Sequence, residues 1–220
     1  DLLKAWCNVA PVPELASFQT GLSKWRLFEF SNSCSLPFPE SAQMTEDDHG
    51  IERILSRFSY PLLLKPSIGE GGLGIRLTAS RQQLKDWFVD DKRSGRHSHY
   101  IVQEFINGID FDLSDLCLNG NILPYTIHKP EIEHAPPFSF GKIVQILRHD
   151  GILQTGQNLL SALNWTGVVH IDVIIETSTQ SIKMPDVNPR YWGSFYGSVP
   201  AGGNFPYLSC LSGLNVAYPF

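Results

Sequence analysis

The stretch "GVVHIDVIIETSTQSIKMPDVNPRYWGS", residues 167–194, constrains this chain more than any other. Two runs rich in Val and Ile flank a short polar turn, which predicts a β-hairpin closing around Thr179. Side chains in a strand alternate faces. His170 and Asp172 therefore share one face of the first run, and Asp186, Asn188 and Arg190 share one face of the second. Folding back at Thr179 sets residue 172 opposite 186 and residue 170 opposite 188. Ile171, Val173, Met184 and Val187 are left for the opposite face, where they can cover a core. Neighbouring carboxylates are unfavourable unless protons or a cation intervene. Two carboxylates and an amide oxygen suit Mg2+ or Mn2+, with phosphate and water oxygens completing the shell. Arg190, four residues from Asp186 on the same face, is placed to hold an anion. The other reading is an edge hairpin whose acids are simply solvated, and spacing alone leaves both open.

A second feature lies upstream. Lys65 ends the apolar run "YPLLLK" directly before "PSIGEGGLG". Such a turn can press backbone N–H groups against phosphate oxygens, with the lysine adding a point charge. No GK[ST] follows, so this is not a P-loop, and a flexible hairpin tip beside a surface lysine is the competing reading.

The remaining elements follow from pattern. "SKWRLFEFSN" spaces Trp25, Leu27 and Phe28 as a helix, and "LPFPE" forces an extended exit. "TEDDHGIERILSRF" predicts a helix with Thr45 as N-cap and Ile51, Ile54, Leu55 and Phe58 as its apolar stripe. "SRQQLKDWFVD" predicts another, burying Leu84, Trp87 and Phe88. "YPLLLKPS", "GIRLT" and "YIVQEFI" read as strands, and Asn119-Gly120 as the turn of a further hairpin. "DGILQTGQNLLSALNW" reads as a helix with Leu159, Leu160 and Leu163 inward. Hairpins are frequent and helices irregularly interspersed, so the class is α+β with mainly antiparallel sheets.

Length and composition narrow the partners. The chain has 220 residues, enough for one larger domain or two small lobes with a real core. Net charge is -5 without a long basic run, which disfavours nucleic acid or an anionic membrane. No apolar run reaches transmembrane length and no signal segment opens the chain. Cys7, Cys34, Cys117 and Cys210 are far apart and form no CxxC pair, so buried free thiols and a cytoplasmic setting are expected. His97, His99, His134 and His149 show no metal spacing and read as surface residues.

Taken in order, these pieces resemble the ATP-grasp superfamily from about Gly21 to the C-terminus. "SKWRLFEFSNSCSLPFPES" is similar to the segment that brings a first nucleotide-binding lysine, here Lys24. "YPLLLKPSIGEGGLGI" is similar to the strand, second lysine Lys65 and mobile glycine loop, with Gly71 and Gly72 against the phosphates. "YIVQEFINGIDFDLS" is similar to the hinge, where the main chain of Gln103, Glu104, Phe105 and Ile106 faces adenine and Asp110 holds the ribose. "HIDVII…PDVNPR" is similar to the metal hairpin, giving Asp172, Asp186 and Asn188 as ligands and Arg190 as a phosphate contact. In "YTIHKPEIEHAPPFSFG" the resemblance offers Lys129 or His128 as the basic group toward the γ-phosphate, and an ordinary loop is the equal alternative. Tyr191 and Trp192 read as packed aromatics, with an acceptor pocket as the other reading.

The resemblance implies an ATP-grasp fold of two α+β lobes gripping ATP. Residues 21–100 would form the smaller lobe, with its glycine loop at 68–74. Residues 101–220 would form the larger lobe, with the hairpin at 167–190. It implies a further N-terminal domain of roughly a hundred residues, of which residues 1–20 would be a remnant or linker. It implies a Mg2+- or Mn2+-dependent ligase joining a small-molecule carboxylate to an amine through an acyl phosphate. Lys24 and Lys65 would hold the α- and β-phosphates, and a homodimer is compatible with such a chain. The family usually has Glu where Asp186 and Asp110 stand, and many ligase members have Arg where His170 stands. Those departures frame two alternatives: a non-catalytic ATP-binding module, and a carbamoyl-phosphate-synthase-like enzyme that phosphorylates a carboxylate or carbamate, to whose branch "NPRYWGS" is similar.

Overall fold

Alternation and turn chemistry together order the C-terminal half. In the computed structural model, which describes residues 6–44, 48–69, 71–94, 100–131 and 143–217, this half is a five-stranded sheet. Its strands are β5 (Gly108–Leu118), β6 (Asn121–Glu131), β7 (Ile143–Leu147), β8 (Gly167–Glu176) and β9 (Ile182–Asn188). Their order is β7-β6-β5-β8-β9, and every pairing is antiparallel. Asn119 and Gly120 both have positive φ (49° and 77°), so β5 and β6 are joined by the tight turn that this dipeptide favours. The β8–β9 turn is organised by the Glu176 carboxylate, which accepts hydrogen bonds from the Ser178, Thr179 and Ser181 hydroxyls.

One face of this sheet is apolar. Leu113, Ile127, Val169, Ile171, Val173 and Val187 meet Leu159 and Leu160 of α5 (Asp150–Ala162) and Leu27 and Phe28 of α2 (Lys24–Ser33). Met184 joins this core although it shares sequence parity with Asp186, because a bulge between Asp172 and Ile174 shifts the register by one residue. His149 caps α5, its Nδ1 accepting from the Ile152 backbone N–H, so it is a structural residue. Asp115 is fully buried, and desolvation raises its pKa well above the ordinary carboxylate value. Of the cysteines, Cys117 is buried as expected, whereas Cys7, Cys34 and Cys210 are exposed.

The other sheet has four antiparallel strands in the order β1-β4-β2-β3: β1 (Ser41–Gln43), β2 (Leu62–Pro66), β3 (Arg76–Thr78) and β4 (Tyr100–Glu104). Ile54 and Phe58 from α3 (Asp48–Arg57) and its exit, with Leu84 and Trp87 of α4 (Arg81–Ser94), cover it. Thr45 and the side chains of Ile51 and Phe88 lie outside the described residues. The helix α1 (Leu15–Leu22) precedes α2, and short helices α6 (Phe195–Ser198) and α7 (Phe205–Gly213) follow β9. Trp192 packs with Leu116, Phe205 and Leu208, which makes it a core aromatic. No helix among the described residues is long and apolar enough to cross a membrane.

His128 sits on β6, fully buried, and its ring nitrogens meet the hydroxyls of Ser194 (3.2 Å) and Ser198 (3.4 Å). Burial, with the nearby His170 adding to it, lowers its pKa from 6.5 to about 4. The folded protein therefore binds fewer protons at this site than the unfolded chain between those values. Stability from neutral His128 is fully present above pH 6.5 and is lost as pH falls toward 4. Between pH 6.5 and 5, the unfolding free energy from urea melts should fall further for the wild type than for His128→Gln, by on the order of 1–2 kcal/mol. Gly120→Ala should cost about 1–3 kcal/mol in the same assay, because a Cβ there would lie 2.8 Å from the Ser161 backbone Cα at a φ of +77°.

Candidate active site

The polar face of the five-stranded sheet looks across a cleft of about 320 Å³ toward the four-stranded sheet. Strand register builds this face. Asp112 on β5 pairs with Asp172 on β8, which pairs with Asp186 on β9, so three aspartates form one cross-strand row. The adjacent row is Ser114, His170 and Asn188. The pairings of 172 with 186 and 170 with 188 are those that the sequence spacing predicts.

Two lysines oppose this row. Lys24 opens α2, whose N-cap Ser23 accepts from the Arg26 backbone N–H. Its Nζ lies 2.8 Å from Asp186 Oδ2 and also donates to the Gly69 carbonyl at 3.1 Å. Lys24 thus ties the glycine loop to the acidic hairpin. Lys65, buried near the end of β2, has its pKa lowered from 10.5 to about 8, chiefly by desolvation and against the pull of Asp186. The acids move the other way. Burial pushes Asp186 up to about 6 despite Lys24, and raises Asp172 and Asp110 despite Lys65. Asp112 is driven up to about 8 by burial and by the negative charges of Asp172 and Asp110. Acids this costly to ionise have the signature of a site completed by an outside cation.

The cleft is lined by Lys24, Lys65, Gly71, Gly72, Gln103, Glu104, Phe105, Ile106, Asp110, Asp172, Asp186, Asn188 and Arg190 together. Gly71 and Gly72 both have positive φ (65° and 71°), backbone that glycine adopts without strain. The Gln103 side chain donates to the Ser41 hydroxyl (3.1 Å), and Gln103 pairs with Ser41 and Leu63 in the sheet. Asn188 donates through Nδ2 to Asp172 Oδ1 (3.3 Å) and accepts at Oδ1 from Arg190 (3.3 Å). Asp172, Asp186 and Asn188 offer the oxygen-only donor set that a hard divalent ion prefers.

Lys129 is absent from the lining, whereas Pro130 is present. Lys129 alternates with His128 and Pro130 on β6, so it belongs to the face of Ile127. His128 is engaged by serines in the sheet's packing. Residues 132–141, the rest of that stretch, lie outside the described residues. Sequence reasoning missed Asp112 and Ser114. The alternation in "DFDLS" marks them as facing with Asp110, but their pairing with β8 depends on residues some sixty positions away and leaves no local signal.

Comparison with known proteins agrees with this arrangement. The family model described as an ATP-grasp domain matches residues 22–194. A carbamoyl-phosphate synthase of Methanobrevibacter smithii is 26% identical over 175 residues, covering 76% of this chain and 45% of that protein. The carboxyaminoimidazole ribonucleotide synthase of Aspergillus clavatus, solved with ATP, superposes with a TM-score of 0.78 at 13% identity over 94% of this chain and 55% of its own. The D-alanine–D-alanine ligase of Bacillus anthracis gives a TM-score of 0.73 at 13% identity over 94% of this chain and 71% of its own. The chain spans less than half the length of the first curated relatives it matches. With its paired antiparallel sheets, glycine loop and acidic hairpin, this chain belongs to the ATP-grasp family.

Proposed function

We propose that the chain carries the ATP-binding and phosphoryl-transfer part of a ligase that joins a carboxylate to an amine. The observation that carries this reading is the row Asp112–Asp172–Asp186 facing Lys24 and Lys65 across one cleft. The carboxylate oxygen of the substrate forms a bond to the γ-phosphorus as the bond from that phosphorus to the ADP oxygen breaks. The amine then attacks the acyl carbon, phosphate leaves, and the amine gives up a proton. This chain's residues bind and orient for those steps, which is most of what phosphoryl transfer needs.

Lys24 and Lys65 supply positive charge for the phosphates, with Gly71 and Gly72 presenting backbone. The segment from Gln103 to Ile106, in the cleft lining with Asp110, would border the adenine, and Asp110 would meet the ribose hydroxyls. Asp172, Asp186 and Asn188 would hold Mg2+ or Mn2+, which when bound neutralises phosphate charge. Arg190 would steady the acyl phosphate. Closure of residues 68–74 would keep water from the intermediate.

A second reading has its own support in the similarity to carbamoyl-phosphate synthase. There the phosphorylated group would be a small carboxylate such as bicarbonate or carbamate, and no amine would be needed to release ADP.

Magnesium–ATP should raise the melting temperature of the wild type, with stabilisation of about 2.7 kcal/mol at a hundred times Kd. Asp186→Asn should lose most of that shift, and an unshifted wild type would sink the proposal. ADP release that requires both a carboxylate and an amine favours the first reading. Release with bicarbonate alone favours the second. Nucleotide binding without ADP formation in any mixture would leave a non-catalytic module.

A further inference from the structure

His170 has no role in the scheme above, yet it is built into the site with care. Its side chain is 9% exposed. Nδ1 lies 2.8 Å from the Ser114 hydroxyl, itself fully buried, and Trp192 stacks on the ring at 5.8 Å with an interplanar angle of 11°. Those contacts fix the ring and aim Nε2 into the cleft. There it faces Asp112 Oδ1 at 3.8 Å and Asp172 Oδ1 at 3.6 Å, both beyond hydrogen-bond reach. Nε2 is thus left open to the cleft, between two carboxylates and without a hydrogen-bond partner.

We propose that Asp112, His170 and Asp172 form a second divalent-cation site, distinct in chemistry from the oxygen-only set and suited to a transition-metal ion such as Mn2+. The ligand atoms of the three residues all lie within 4.8 Å of one another. Mn2+ prefers six ligands in an octahedron, and bonds of about 2.2 Å would set neighbouring ligand atoms roughly 3 Å apart. His170 Nε2 would close on the two carboxylates from 3.8 and 3.6 Å, and the carboxylates, within 4.8 Å of each other, would draw together by side-chain rotation. Two carboxylates and a neutral imidazole match a doubly charged ion. The Ser114 hydroxyl accepts from Nδ1–H in the tautomer that leaves the Nε2 lone pair for metal, the outer contact that histidine ligands characteristically have. Asp172 is shared with the oxygen-only set and would bridge two ions. A nitrogen donor favours Mn2+ over Mg2+ at this position, whereas the oxygen set discriminates little.

The site requires no nucleotide, so it can be tested apart from the proposed ligase reading. Nucleotide-free protein is titrated with MnCl2, with free ion counted by its solution electron paramagnetic resonance signal. Nitrogen ligation is read from the 14N modulation of the bound ion. Mn2+ also avoids the free thiols, which a softer probe would engage. We expect binding without nucleotide and clear 14N modulation, with loss of that modulation in His170→Gln and at least about tenfold weaker binding in Asp112→Asn. Binding only when nucleotide is added, bound Mn2+ without 14N modulation, or modulation that survives in folded His170→Gln would overturn the proposal. Should His170→Gln fail to fold by circular dichroism, wild-type affinity in Asp112→Asn would overturn it instead. Failure here leaves the magnesium–ATP melting shift untouched, and failure of that shift leaves this site standing.

Discussion

Three carboxylates side by side across β5, β8 and β9 are the constraint on which the rest of this structure turns. Asp112, Asp172 and Asp186 occupy one cross-strand row because the registers of both strand pairs put them there. A row of acids in a sheltered cleft is unfavourable: desolvation chiefly raises the pKa of all three, and the Asp172 charge adds to the rise at Asp112 and Asp186. What surrounds the row compensates for it. Lys24 lies on Asp186, and Lys65 adds a charge from the other sheet at the expense of its own basicity. A surface hairpin would relieve such repulsion into water, but this one is held over a core by Ile171, Val173 and Val187 and has no such freedom.

The compensating lysines come from elements that pack by ordinary means. Leu27 and Phe28 anchor α2 against the five-stranded sheet and so present Lys24 at the helix's first turn. Lys65 follows Leu62, Leu63 and Leu64, a strand buried in the other sheet. Neither lysine is positioned by its own charge alone. Apolar burial sets the backbone, and the electrostatic arrangement follows.

What the sequence disclosed depended on chain distance. The pairing of 172 with 186 and 170 with 188 was legible because a short turn closes it, and parity then fixes faces. The Asn119-Gly120 turn was legible for the same reason. Asp112 was not, because β5 meets β8 only after β6, β7 and α5 have intervened. Met184 reaches the expected core face through a bulge that strict alternation does not predict, and His149, read only as a surface residue, also caps a helix. Lys129 carries the charge that a phosphate contact would need, but strand alternation puts its neighbour Pro130 in the cleft lining instead. The family resemblance located most of the cleft lining, since its motifs fall in the segments that border it.

The Lys24–Asp186 pair has a consequence for what can enter. An anion that drew Lys24 away by itself would strand a sheltered carboxylate, and a lone cation seated on Asp186 would strand the ammonium. A ligand arriving as an ion-paired whole satisfies both groups in a single exchange. On the proposed reading, the cleft would be a lock with two wards, turning more readily for a metal-complexed polyanion than for the same polyanion stripped of its counterion.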